Sequence, residues 1–217
     1  MSDLAESLAR RAAERSVADR QATYVKEIER IVVATHRVIA RSGSFDPPLR
    51  DILRESGLST QAFYKHFRSK DELLLLLLDD GRRQLVGYLE HRMGKATTPP
   101  GRVKAWIEGV LAQAGQADAA ARTRPWLANQ DRLAEQFPDE QQASVDLLVS
   151  LLADAITQVS PSRPARRDAQ VVYHATFGAL HRHLAHGTKP APAEVDHLVR
   201  FCLDAIEDGA KTGRGRG

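Results

Sequence analysis

The chain has 217 residues, a formal net charge of +3, 42% hydrophobic and 27% charged residues. That length supports one or two domains with a sizeable core, and the single cysteine, Cys202, excludes an intrachain disulfide and any multi-cysteine metal cluster. The longest apolar run, Leu73 to Leu78, is closed by Asp79-Asp80, far short of the ~20 apolar residues a membrane helix needs.

The opening MSDLAESLARRAAERS has no apolar signal core, so a cytoplasmic protein without membrane contact is expected. Residues 1–23 favour helix by composition but lack a broad apolar face, and read as a conditionally helical arm. From Tyr24, residues Ile28, Ile31, Val32, Thr35, Val38 and Ile39 fall on one face of an amphipathic helix that Ser42-Gly43 ends. Asp46-Pro47-Pro48 reads as a helix start with Asp46 as N-cap, and Leu49, Ile52 and Leu53 as the apolar face before Gly57 stops it. Ser59 caps the next helix and turns Phe63 and Phe67 inward. Ser69-Lys70-Asp71-Glu72 is a capping box that opens a long helix to about Met93.

Thr97 to Gly101 (TTPPG) reads as a linker. Further helices are expected over 102–117, 125–136, 139–159, 166–186 and 192–208, with breaks at Phe137-Pro138, Ser160 to Pro164 and Gly187 to Pro192. No strand alternation persists and no long period repeats, which makes the chain all-α with about nine helices.

The net charge conceals an asymmetry. Residues 1–70 carry 13 basic against 9 acidic side chains, residues 71–210 carry 15 against 19, and the tail 211–217 adds Lys211, Arg214 and Arg216. A basic head on an acidic body suits a chain whose N-terminal part meets a polyanion.

The stretch from Pro48 to Phe67 has the helix-turn-helix plan: two short helices, a tight turn at Gly57 and a second helix with an inward aromatic face. The second helix turns Thr60, Gln61, Tyr64 and Lys65 outward, with His66 at the edge of that face. Gln61 offers an amide to base edges, Lys65 a charge to phosphate or guanine, and Thr60 and Tyr64 offer hydroxyls to phosphates. Lys70, beside the free backbone donors of the next helix, completes a phosphate clamp. On spacing alone, an ordinary helical hairpin with a polar face satisfies the same pattern.

The motifs decide between them by resemblance. Gly43, Ile52, Ser56-Gly57-Leu58-Ser59, Phe63, and the run Tyr64-Lys65-His66-Phe67-Arg68-Ser69-Lys70-Asp71-Glu72-Leu73 fill every fixed position of the Tyr-x-His-Phe-x-Ser-Lys-acid-x-Leu signature. From Ile28 to Leu74 the chain resembles the N-terminal domain of the TetR family of transcriptional regulators. It departs from that pattern at Leu53, where the family usually carries a small residue, and at Pro47-Pro48, where a Thr or Ser usually opens the helix.

The resemblance implies four parts: an N-terminal arm (1–23), a helix-turn-helix DNA-binding domain (24–70), a helical ligand-binding and dimerisation domain (71–210) and a basic flexible tail (211–217). It implies a homodimer, commonly a repressor, that binds a palindromic site in double-stranded DNA and is released by a small-molecule effector. It places Tyr64, Lys65, His66 and Lys70 against the DNA backbone, with Thr60 and Gln61 nearer the bases. Arg10, Arg11, Arg15 and Arg20 of the arm are further phosphate candidates, although Glu6, Glu14 and Asp19 interrupt them. The last two helices form the dimer interface in the family.

For the effector pocket, Trp106, Trp126, Phe137, Tyr173 and Phe177 are candidate walls and Asn129, Gln130 and His174 candidate polar anchors. Each aromatic is equally at home in an ordinary core. His174, His181, His183 and His186 crowd one helix and His183 and His186 share a face, but a metal site needs more ligands than that pair, so no metal site and no cofactor is expected. Cys202 reads as a small buried hydrophobe. No nucleophile–base pair or glycine-rich phosphate loop is present, so no enzyme is expected; a helical enzyme or a protein-interaction module that has lost DNA reading are the alternatives.

Overall fold

The computed structural model describes the backbone of residues 2–44, 46–115, 120, 123 and 130–212, and side chains over the same residues except 2–9, 11, 12, 130 and 208–212. The described residues form nine helices and no strand. In chain order these are α1 (Ser2–Ser42), α2 (Leu49–Ser56), α3 (Thr60–His66), α4 (Lys70–Gly94), α5 (Pro99–Gly115), α6 (Gln130–Gln136), α7 (Pro138–Val159), α8 (Ala165–His186) and α9 (Pro192–Thr212). The chain divides into two compact units, Met1–Leu74 and Leu75–Gly217.

In the first unit α1 packs against α2 and α3. The segment 1–23 is helical where described and runs without a break into 24–42. The apolar stripe of α1 does what its spacing predicts: Ile31, Ala34, Thr35, Val38 and Ile39 are buried, and the Thr35 hydroxyl satisfies itself by donating to the Ile31 carbonyl at 2.7 Å. Ile52 of α2 and Phe63 of α3 are fully buried, and Phe67, Leu73 and Leu74 are buried beside them in sequence.

Local chemistry sets the helix ends. Gly43 and Gly57 take the left-handed conformation (φ 66° and 64°), and their N–H groups close the last turns of α1 and α2 on the carbonyls of Ile39 and Leu53. Ser59 caps α3 by accepting from the Ala62 N–H at 3.1 Å. Ser69 accepts from the Glu72 N–H at 3.0 Å, and Glu72 reaches back to the Arg68 N–H, one residue before the position a regular capping box uses.

Asp46 is not the cap of α2. Pro48 is the N-cap residue, with no side-chain bond, and the Asp46 carboxylate turns away to Lys70 at 2.5 Å. The turn between α2 and α3 has a brace in Arg30 of α1, whose guanidinium donates to the Ser56 carbonyl at 3.1 and 2.6 Å and to the Gly57 carbonyl at 3.3 Å. A Cβ at Gly57 would stand 3.0 Å from that guanidinium, on a backbone that L-residues avoid. Gly57→Ala is therefore expected to cost the first unit about 1–2 kcal/mol, read from urea unfolding.

The second unit has its own core, in which α5, α7, α8 and α9 pack on one another. Trp106, Ile107, Val110, Leu148, Leu152, Ile156, Ala169 and Leu180 are fully buried. Thr97 to Gly101 is not a free linker. Pro99 begins α5, so the prolines occupy its first turn, where no N–H is missed, and the Thr98 hydroxyl accepts from the Gly101 N–H at 3.2 Å. α4 approaches α5 closely at Gly109, where a Cβ would meet Leu89 Cδ2 at 2.5 Å. α9 extends to Thr212, so Lys211 lies in a helix; Arg214 and Arg216 of the predicted tail lie outside the described residues.

Candidate DNA-reading face and ligand cavity

α3 is seven residues long, too short to hold itself together in water, and its fully buried apolar side chain is Phe63. That anchor fixes which face points out. Thr60, Gln61, Tyr64 and Lys65 are exposed, Tyr64 by 54%. These four predicted residues share one polar face, with Arg68 just beyond it, a cation the sequence reading missed.

His66 does not join them. Its side chain is wholly inaccessible, edge-on to Tyr24 at 4.3 Å between ring centroids, and its Nε2 sits 2.6 Å from Glu27 Oε2. The same carboxylate oxygen receives Lys65 Nζ at 3.4 Å, and the Lys65 ammonium lies 5.9 Å from the Tyr24 ring centroid. The hydrogen bond from His66, aided by Lys65, holds the Glu27 carboxyl below the usual carboxylate range. Glu27 and Tyr24 thus position the C-terminal end of α3 from α1. His66 in this arrangement fastens the end of α3 to α1 and is not itself exposed to a phosphate, and Lys70 is held by Asp46.

Arg15 and Arg20 of the arm line, with Asp19, Tyr24 and Lys65, an open cleft of about 700 Å³. Two of the arm's candidate cations are thereby beside the reading helix. Arg10 is exposed, and the Arg11 side chain lies outside the described residues.

The second unit contains a cavity of about 550 Å³ between α4, α6, α7 and α8. Tyr173, His174 and Phe177, all predicted pocket residues, line it. Tyr173 and Phe177 stack, with ring centroids 4.4 Å apart and 27° between planes. Trp106 does not line it. It lies fully buried behind both rings, 6.5 Å from Tyr173 and 6.4 Å from Phe177, with its indole N–H unpartnered among the described residues. Phe137 is half-buried at the N-cap of α7, where Pro138 rather than the ring borders the cavity. Trp126, Asn129 and the Gln130 side chain lie outside the described residues.

Sequence reasoning missed the cavity's most distinctive group. Arg82, on α4 just beyond the leucine run, points its guanidinium onto Gln141 Oε1, and burial pulls its pKa below the usual arginine value. Burial also pushes the Tyr173 phenol up.

The histidines of α8 have separate roles. His174 and His181 border the cavity, while His183 is buried with Nδ1 2.8 Å from the Thr188 hydroxyl and Nε2 3.0 Å from Glu194. Arg182 also pairs with Glu194, so one carboxylate ties the end of α8 to the start of α9. Among the described residues, no three His, Cys, Asp or Glu side chains gather as metal donors. Cys202 is buried and unpaired, and burial pushes its thiol up.

Glu194 offers a pH test. The His183 hydrogen bond, with help from Arg182, lowers its pKa. A carboxylate depressed in the folded state stabilises above its unfolded pKa, and that contribution disappears as pH falls through the folded value. Glu194→Gln is expected to be less stable than the wild type near pH 7, with the difference shrinking as the pH drops below the ordinary carboxylate range, measured by urea unfolding at several pH values.

The sequence matches the model for bacterial regulatory proteins of the tetR family over residues 31–77, the span from the buried stripe of α1 through α3 into α4. No curated protein matches it. Solved structures share its fold, among them the following three. The fatty acid degradation regulator FadR from Bacillus halodurans aligns with TM-score 0.63 and 18% identity, covering 82% of this chain and 94% of its own. Bacillus subtilis FadR in complex with stearoyl-CoA gives TM-score 0.61 and 16% identity, covering 83% and 98%. Reduced NemR from E. coli gives TM-score 0.61 and 17% identity, covering 84% and 95%. Among the described residues no helix is long and apolar enough to cross a membrane.

Proposed function

We propose that this TetR-family chain is a cytoplasmic, homodimeric repressor that binds a palindromic operator and is released when a small molecule enters the cavity of its second unit. The observation that carries the reading is the coincidence of the family match over residues 31–77 with an α3 whose polar face is outward and whose buried apolar side chain is an anchor. Thr60 and Gln61 at the start of α3 face the bases, and Tyr64 and Lys65 the backbone. Arg15 and Arg20, in the cleft beside Lys65, extend the phosphate contacts along the arm. Lys70 binds a phosphate by exchanging it for Asp46.

Dimerisation follows from what the second unit leaves uncovered. Val171 on α8 and Phe201 on α9 are 67% and 66% exposed, a burden for a lone chain and the natural seam for a four-helix interface. A twofold axis there presents two α3 helices to successive major grooves, about 34–36 Å apart. An effector that binds better to the arrangement with its reading heads apart lowers operator affinity by that difference in affinity and no more. That the similar FadR is found in complex with stearoyl-CoA supports, at the level of the fold, a small-molecule effector.

The test is a gel-shift series against the DNA flanking the gene. A sequence-preferring, salt-sensitive shift is expected. Lys65→Ala is expected to weaken binding to all sequences and reduce the salt slope by about one, whereas Gln61→Ala relaxes base choice by about 1–3 kcal/mol. A folded protein that produces no such shift on its flanking DNA sinks the proposal and favours an interaction module or an enzyme.

A further inference from the structure

We infer that the cavity of the second unit is a carboxylate site, taking an amphipathic monocarboxylic acid with Arg82 as its anchor and Gln141 and Tyr173 as supporting donors. The inference rests on reading that cavity as the effector site and adds the chemistry of its occupant.

The case begins with an unbalanced group. Arg82 is a part-buried cation whose hydrogen-bond partner among the described residues is a neutral amide oxygen, Gln141 Oε1. A guanidinium carries five N–H donors in a planar fork, and burying its charge is costly unless an anion shares the site. The nearest acids on its own helix, Asp79 and Asp80, are hydrogen-bonded by Arg83 at 2.8 Å and by Gln84 at 2.7 Å, so the Asp79 charge that favours the Arg82 cation is shared with Arg83. Gln141 adds a second imbalance. It is 5% exposed, spends its oxygen on Arg82, and leaves Nε2 buried without a partner among the described residues. Both residues line the cavity, as does Tyr173, whose phenol stays protonated at neutral pH and can donate. Donors therefore gather where a ligand must supply acceptors. A carboxylate offers two oxygens in the geometry of the guanidinium fork, with lone pairs left for the amide and the phenol.

The rest of the lining sets the body of the ligand. Val145, Val149 and the stacked Tyr173–Phe177 pair give it an apolar wall, and about 550 Å³ lies within the range of small-molecule sites. Asp131 also borders the cavity and is exposed, so a second negative group on the ligand is repelled, which favours a monoacid.

The experiment uses the full chain without DNA, titrated by calorimetry and thermal melting with decanoate against decanamide and with 2-naphthoate against 2-naphthamide. Within at least one pair the acid is expected to bind about tenfold or more tighter than its amide. Arg82→Met is expected to erase the preference with the helical circular dichroism intact. Arg82→Lys, which keeps the charge but loses the fork, is expected to keep a reduced preference, and Gln141→Leu to weaken the acid alone. Equal binding of acid and amide, no binding by either acid, or a preference that survives in Arg82→Met overturns the inference. Loss of the gel shift described above would remove the regulator and leave these outcomes as they stand.

Discussion

Phe63→Ala is expected to destabilise the first unit by about 3–5 kcal/mol and to abolish operator binding, although residue 63 points away from DNA. The magnitude follows from its burial: the ring is 0% exposed and packs 5.5 Å from the Phe67 centroid and edge-on to Tyr64 at 5.4 Å. The effect on binding follows from the helix. With seven residues, α3 gains little from its own hydrogen bonds, and it is otherwise fastened at its C-terminal end, where His66 and Lys65 meet Glu27 and Tyr24. Removing the anchor frees Thr60 and Gln61, because the other inaccessible side chain of α3, His66, holds its C-terminal end. Phe63→Leu preserves most of the volume and is expected to cost below about 1.5 kcal/mol. Hydrogen exchange read by mass spectrometry separates the two units: in Phe63→Ala, protection should fall over 49–74 and hold over 138–206. Unchanged protection in α3 would show that its register does not depend on Phe63.

Much of the reading head was legible because its signals are local. Gly43, Gly57, Ser59 and the Ser69–Glu72 box announce helix ends within four residues of themselves, and the 3.6-residue spacing of Ile31, Val38 and Ile39 announces a buried face. What failed was non-local. Asp46 has the chemistry of an N-cap, but Lys70, 24 residues away, takes its carboxylate. His66 has the position of a DNA contact, but Glu27, 39 residues away, draws it inward. The prolines after Thr98 carry the composition of a linker and the backbone angles of a helix start, and composition cannot separate the two.

The cavity was only half legible for a related reason. Aromatic residues on α8 were recognisable as pocket or core, and no spacing rule distinguishes the Tyr173 side of Trp106 from the side behind it. Arg82 gave no signal at all, since an arginine after Asp79-Asp80 reads as one more charge on a solvated helix. It is the meeting with Gln141 of α7, 59 residues away, that marks it as a part-buried cation.

Trp106→Ala is the corresponding expectation for the second unit, and it joins stability to the ligand. The indole is fully buried within the cluster formed by α5, α7, α8 and α9, so truncation is expected to cost about 3–5 kcal/mol. For a domain of this size, roughly 2–4 °C per kcal/mol gives a fall of roughly 10 °C in melting temperature. The indole also stands behind the stacked rings of Tyr173 and Phe177, at 6.5 and 6.4 Å. Without it the rings can retreat from the cavity, and with them the Tyr173 phenol proposed above as a donor to the carboxylate. The variant should therefore bind the carboxylic acids more weakly at temperatures where it is still folded. Trp106→Phe, which keeps an aromatic backing, should recover most of both losses. The indole N–H has no partner among the described residues, so replacing it with phenylalanine breaks no hydrogen bond to offset that recovery. A Trp106→Ala protein that melts lower but binds the acids as the wild type does would show that the ring pair is held in place from the α7 side, by Val145 and Val149.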